Sequence, residues 1–125
     1  MTMEPPDRIV LLDSVTEVTA EHTGKVVVTG SHGGVSAGRY AQEVAAQLYV
    51  FNDAGVGKDG AGIAALAMLD AMGQAALAVA HTSARIGEAL DTWSTGVISK
   101  VNGAAAALGF SEGQRLREAV EQLGG

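Results

Sequence analysis

Short aliphatic runs alternate along the chain with segments whose apolar residues recur three or four positions apart. The run RIVLL, residues 8–12, stops at Asp13 and Ser14 and predicts a first strand. Residues 14–24, SVTEVTAEHTG, carry no clean period; an irregular helix ending at Gly24 is favoured over the first arm of a hairpin. KVVVTG, residues 25–30, is apolar without alternation, as a strand buried on both faces should be. In GRYAQEVAAQL, Tyr40, Val44 and Leu48 lie four apart and mark one face of a helix. LYVF, residues 48–51, predicts a third buried strand.

The helix expected within residues 61–73 places Ile63, Leu66, Ala67 and Ala71 on one face, and Gly73 supplies its stop. AALAVAH, residues 75–81, predicts a fourth strand ending at His81. A helix then opens at Ser83, with Ile86, Leu90 and Trp93 at helical spacing. Residues 97–109 resemble a strand at Val97, Ile98 and Val101. Adding Ala104, Ala105 and Leu108 makes period 3.6 the better fit, so a helix closed by Gly109 is expected. Ser111 and Gln114 stand at capping-box spacing before a terminal amphipathic helix carrying Leu116, Ala119, Val120 and Leu123.

Strands alternating with helices in this way predict an α/β fold: a small parallel sheet of about four strands with helices on both faces. The expected form is a Rossmann-like or flavodoxin-like three-layer sandwich, one domain over residues 1–125 with residues 1–7 flexible. Alanine-rich helix faces suit close packing against a second subunit, so a homo-oligomer is expected.

Composition narrows the function classes. Of 125 residues 47% are apolar and 18% charged, enough apolar surface to offset the entropy of ordering a single domain. Only 4% are aromatic, so the core must be aliphatic and alanine-rich. The net charge of −6 lacks the basic footprint that nucleic-acid binding requires. The absence of cysteine removes disulfides, thiol nucleophiles and thiolate-held zinc. The polar start MTMEPPDR has no signal-peptide pattern, and the most apolar run, 61–80, is interrupted by Asp70, Gly73 and Gln74. A cytoplasmic protein that neither enters a membrane nor binds nucleic acid is expected.

In a parallel sheet every strand-to-helix loop emerges at the carboxyl edge, where ligands of such folds bind. That edge should collect Asp13 and Ser14, then residues 31–38, 52–62 and 81–85. The candidate catalytic residues are His81 and His32 as proton carriers, Ser31 as nucleophile or hydrogen-bond donor, and Asp53 to orient a histidine. The candidate substrate-binding residues are Gly33, Gly34, Ser36, Arg39, Asn52, Gly55, Gly57, Lys58, Thr82, Ser83 and Arg85. Glycine amides with a nearby arginine or lysine suit a carboxylate or phosphate.

Three local patterns have competing readings. GVGKDG, residues 55–60, matches G-x-G-x-x-G, which would admit NAD or another nucleotide. It stands on the third strand rather than the first, and the following strand ends in histidine instead of an acid, so no cofactor is assigned. The same glycines serve a tight turn equally well. GVSAG, residues 34–38, matches G-x-S-x-G, and Ser36, Asp53 or Asp59, and His81 follow in hydrolase order. An elbow serine, however, directly follows its strand, which favours Ser31 over Ser36. Asp59 has the simpler reading of a helix cap. His32, His81 and Asp53 lack the close spacing of a metal site, and no metal is assigned.

The expected function is therefore a small-molecule enzyme acting on a polar, anionic metabolite at the carboxyl edge. Hydrolysis is placed ahead of isomerase or lyase proton transfer because serine, histidine and aspartate are all at hand. The alternative is a metabolite- or nucleotide-binding module, or a subunit completing a partner's active site.

Overall fold

The structure is a computed structural model and describes residues 8–123, except the side chains of Lys58 and Asp59. The segment expected to be flexible, residues 1–7, lies outside the described residues. Five strands form one sheet: β1 (Ile9–Leu12), β2 (Val26–His32), β3 (Leu48–Asn52), β4 (Ala76–Val79) and β5 (Ile98–Val101). Their spatial order is β1-β2-β3-β4-β5; the first four run parallel and β5 is antiparallel to β4.

Each central strand is apolar on both faces, and successive residues divide between two cores. Val26, Val28, Leu48, Val50, Leu77 and Val79 enter one core, together with Trp93, Leu116 and Val120. Val27, Tyr49, Phe51, Ala76 and Ala78 enter the other, with Val15, Ala37, Ala41, Leu66 and Leu69. The first core is covered by α3 (Ala89–Thr95), α4 (Gly103–Ala107) and α5 (Leu116–Leu123). The second is covered by α1 (Val35–Gln42), α2 (Ala64–Asp70) and a 3-10 turn at Val15–Glu17. The result is the expected three-layer α/β sandwich.

Sequential order has a topological consequence. When parallel strands are added always on the same side, right-handed crossovers all fall on one face. The three crossovers, the Val15–Glu17 turn, α1 and α2, do share one core. The opposite face is covered only because the chain reverses after β4 and returns through α3, β5 and the last two helices.

Several elements differ from expectation, each for a local reason. Residues 14–24 form neither a helix nor a hairpin arm but two 3-10 turns, Val15–Glu17 and Ala20–His22, each with its own capping box. Side chains that cap the backbone every few residues compete with helix propagation. The helix expected from residue 38 to 48 begins at Val35 and ends at Gln42; Val44 and Leu48 lie beyond it and Tyr40 is exposed. In α2 the buried face is Ala65, Leu66 and Leu69, while Ala67 and Ala71 face outward. Gly73 ends that segment with φ +74°.

The helix expected from Ser83 starts only at Ala89. Ile86 and Leu90 are exposed, so of the three apolar positions Trp93 alone reaches the core. Residues 97–109 are not one helix: they form strand β5 and then the short α4. The break is enforced by Asn102, which is buried and uses its full hydrogen-bonding capacity. Its Oδ1 accepts from the Ala76 and Ala105 amides and its Nδ2 donates to the Leu66 and Gln74 carbonyls. Asp70 accepts from the Ala104 amide and helps seat the same corner. The last helix opens at Leu116 rather than at Ser111; the Ser111 amide donates to the Gln114 side chain, but the pair closes a turn ahead of the helix.

Gly30, inside β2, is crossed by the loop after β1 and the loop before α3. Its amide donates to the Asp13 carbonyl, and its own carbonyl accepts from the Gly87 amide. A Cβ there would collide with backbone atoms of Glu88, Gly87 and Asp13. Gly30→Ala should therefore cost about 3 kcal/mol or more of stability, because backbone cannot yield as a side-chain end can. Urea unfolding of wild type and variant measures this; a loss under about 1 kcal/mol would contradict the crossing.

Candidate functional site

The carboxyl ends of β1 to β4 and the start of β5 meet at one rim, tied together by backbone and side-chain bonds. The Gly33 amide donates to the Asn52 carbonyl, and the Gly33 carbonyl accepts from the Ala65 amide. The Asn52 side chain is fully buried; its Nδ2 donates to the Ala84 carbonyl and its Oδ1 accepts from the Ala54 amide. The loops expected to converge do so, but their polar residues have separate tasks.

Asp53 is the centre of one group. It directly follows β3, and its side chain is only 8% exposed. Oδ1 accepts from the Gly55 amide (2.8 Å), the His81 amide (3.0 Å) and, at 3.3 Å, Nδ1 of the His81 ring. Oδ2 accepts from the Ser99 hydroxyl at 2.6 Å. Burial pushes the carboxyl up, yet the hydrogen bonds from Ser99, Gly55 and His81 together outweigh it and hold the group below the ordinary aspartate value. Asp53 faces Nδ1 as an acceptor, and the tautomer that suits this contact carries its proton on Nδ1. That leaves Nε2 of the His81 ring as the basic nitrogen. The ring is half exposed, packs over Gly55 and stands two residues beyond β4 rather than ending the strand.

The loop under the ring is strained. Ala54, Gly55, Val56 and Gly57 all have positive φ, including +68° at the β-branched Val56. Such a residue costs on the order of 1–3 kcal/mol and persists only where its surroundings over-determine it. Here the Val56 amide donates to the Asp53 carbonyl and the Val56 carbonyl accepts from the Gly62 amide, both at 2.6 Å. Gly62 is packed so closely on the Asp53 carbonyl that no Cβ fits. The glycines 55–60 then enter a 3-10 segment, Lys58–Ile63, so no α-helix start faces them. The side chains of Lys58 and of Asp59, expected as ligand and cap, lie outside the described residues.

The remaining candidates fall elsewhere on the rim. The Ser31 hydroxyl accepts from the Val15 amide, and the Ser83 hydroxyl donates to the Ala80 carbonyl while accepting from the Val97 amide. Both hold loops together. Thr82 and Arg85 are exposed, and Arg85 lies 3.9 Å from Glu88 in a surface pair. His32, Ser36 and Arg39 line a groove beside α1, whose N-cap is Gly34. No serine hydroxyl is bonded to His81 among the described residues, and Ser36 is not assembled with Asp53 and His81 into a triad.

Ser99 is the participant that sequence reading missed. The segment around it reads as helix because β5 carries an irregularity at Ser99: Ile98 and Val101, three apart, both face the first core. No helix among the described residues is long and apolar enough to cross a membrane. No family model, curated protein or solved structure matches the chain.

Asp53→Ala should cost about 3 kcal/mol at neutral pH, since four donor groups lose a buried charged acceptor. Because the folded-state value is depressed, the carboxylate's contribution is complete above its ordinary value of 3.8 and is lost as pH falls through the lower folded value. The stability gap between wild type and variant should narrow below about pH 4. Ser99→Ala should cost about 2 kcal/mol, in the range of one hydrogen bond to a charge. Chemical denaturation across pH measures both; a gap that widens in acid would contradict the depressed value.

Proposed function

We propose that this protein is a small-molecule enzyme in which Asp53 and His81 carry out acid–base chemistry at the carboxyl edge of the sheet. The observation that carries this reading is a buried, multiply bonded carboxylate aligned on a half-exposed imidazole. Nε2 of His81 takes a proton from a substrate C–H or O–H group, or from an attacking water. Asp53 stabilises the imidazolium that forms, and the same proton returns to the product or leaving group. A serine nucleophile has little support, because Ser31 and Ser83 are engaged with the backbone. The reaction class is therefore proton-transfer isomerisation or elimination, or hydrolysis by an activated water.

A second reading, a non-catalytic metabolite-binding module, is favoured by the exposure of His81, about half of whose side chain is open. A thermal-shift screen of small polar metabolites identifies ligands of the native protein, and each ligand found is then assayed for turnover and for hydrogen–deuterium exchange. His81→Ala should lower turnover about 100-fold or more, as loss of a general base does, with ligand affinity changed little. A variant that loses affinity alone, or retains full turnover, would overturn the catalytic reading.

A further inference from the structure

The polar side chains of the rim divide into two kinds. Asn52, Asp53, Ser83 and Ser99 are bonded to their own chain and hold the loops in register. His32, Ser36, Arg39 and Tyr40 make no side-chain hydrogen bond or ion pair among the described residues. These four gather in one place, the groove between the Val15–Glu17 turn and α1.

The groove consists of an inner cavity of about 140 Å³ and an outer one of about 380 Å³, which share Thr16 and Tyr40. The outer one alone falls within the size of small-ligand pockets, roughly 300–1,000 Å³. Its floor includes Val15 and Ala37, both buried, so the base is apolar and fixed. The turn forming one wall is held by a capping box and by the Val15 amide's bond to Ser31. Ser36, Arg39 and Tyr40 stand three and four apart on α1, the spacing that puts them side by side. Each of the unbonded groups can donate: a guanidinium, two hydroxyls and an imidazole. Glu43 lines the same outer wall without pairing to Arg39.

We propose that this groove binds a small anion with a flat or apolar body, its carboxylate or phosphate held by Arg39, Ser36 and His32 and its body lying against Tyr40. The site is separate from the Asp53–His81 pair in its hydrogen bonding and does not depend on catalysis there. A fixed apolar floor with donors left without partners is what distinguishes it from a solvated helix face.

The test is an amide chemical-shift titration of the labelled protein with phenyl phosphate, benzoate, inorganic phosphate and phenol. Phenyl phosphate or benzoate, whichever anion the head-group donors prefer, should give saturable shifts at residues 31–40. Arg39→Gln should weaken that binding tenfold or more. Tyr40→Ala should weaken it without changing the affinity for inorganic phosphate, and Glu43→Gln should tighten it by removing a repelling charge. All three residues are exposed, and unchanged melting temperatures confirm the fold. Saturable shifts centred on Gly55 and His81 instead would overturn the groove while leaving the acid–base reading intact. Inorganic phosphate binding as tightly as phenyl phosphate, or no saturable shift from either ring-bearing anion up to 10 mM, roughly the weak limit for a specific site, would overturn the proposal.

Discussion

One carboxylate joins three strands. Asp53 leaves the end of β3, draws in the backbone and ring of His81 beyond β4, and accepts the Ser99 hydroxyl from β5. Its burial is costly, and the donors offset that cost so fully that the charged form is favoured over the neutral one. β5 has no crossover to align it, since it returns antiparallel along the sheet edge. The Ser99–Asp53 bond fixes it at the rim and Asn102 fixes it at the opposite end. The same carboxylate bends the following loop, because Oδ1 captures the Gly55 amide as the chain turns through four positive φ values. The edge strand, the turn and the candidate base are thus tied to a single side chain.

The strand order explains why the rim has this form. In a doubly wound sheet, adjacent crossovers diverge to opposite faces and leave a crevice between them. Here the three parallel crossovers all lie on one side, the chain changes face only after β4, and the carboxyl ends are drawn together by links such as Asn52 to Ala84 and Gly87 to Gly30. One groove lies on the flank, between α1 and the turn that precedes it. The result is a bonded rim that presents the His81 imidazole beside a groove with unbonded side chains.

The layered α/β architecture and the four parallel strands were legible because buried strands such as VVV and LYVF are apolar on both faces. The convergence of Asp53 and His81 followed from the same strands. The fifth strand was not legible: Val97, Ile98 and Val101 satisfy a helical period once the alanines that follow are included. What separates them is Asn102, whose four bonds exist only in the folded molecule. Ser99 was lost with that strand. Spacing also overreached at Ile86 and Leu90, which match helical periodicity yet remain exposed because Gly30 and Asp13 hold the preceding loop to the rim instead. Ser31, chosen for its position after a strand, proved to bond a neighbouring turn.

The most direct measurement is the protonation pattern of the His81 ring by long-range ¹H–¹⁵N correlation at a pH where the imidazole is neutral. With Asp53 ionised and facing Nδ1, the proton should reside on Nδ1 and leave Nε2 bare, and Asp53→Asn should abolish that preference. A ring that carries its proton on Nε2 in the wild-type protein, unaffected by Asp53→Asn, would show that the carboxylate does not orient the imidazole.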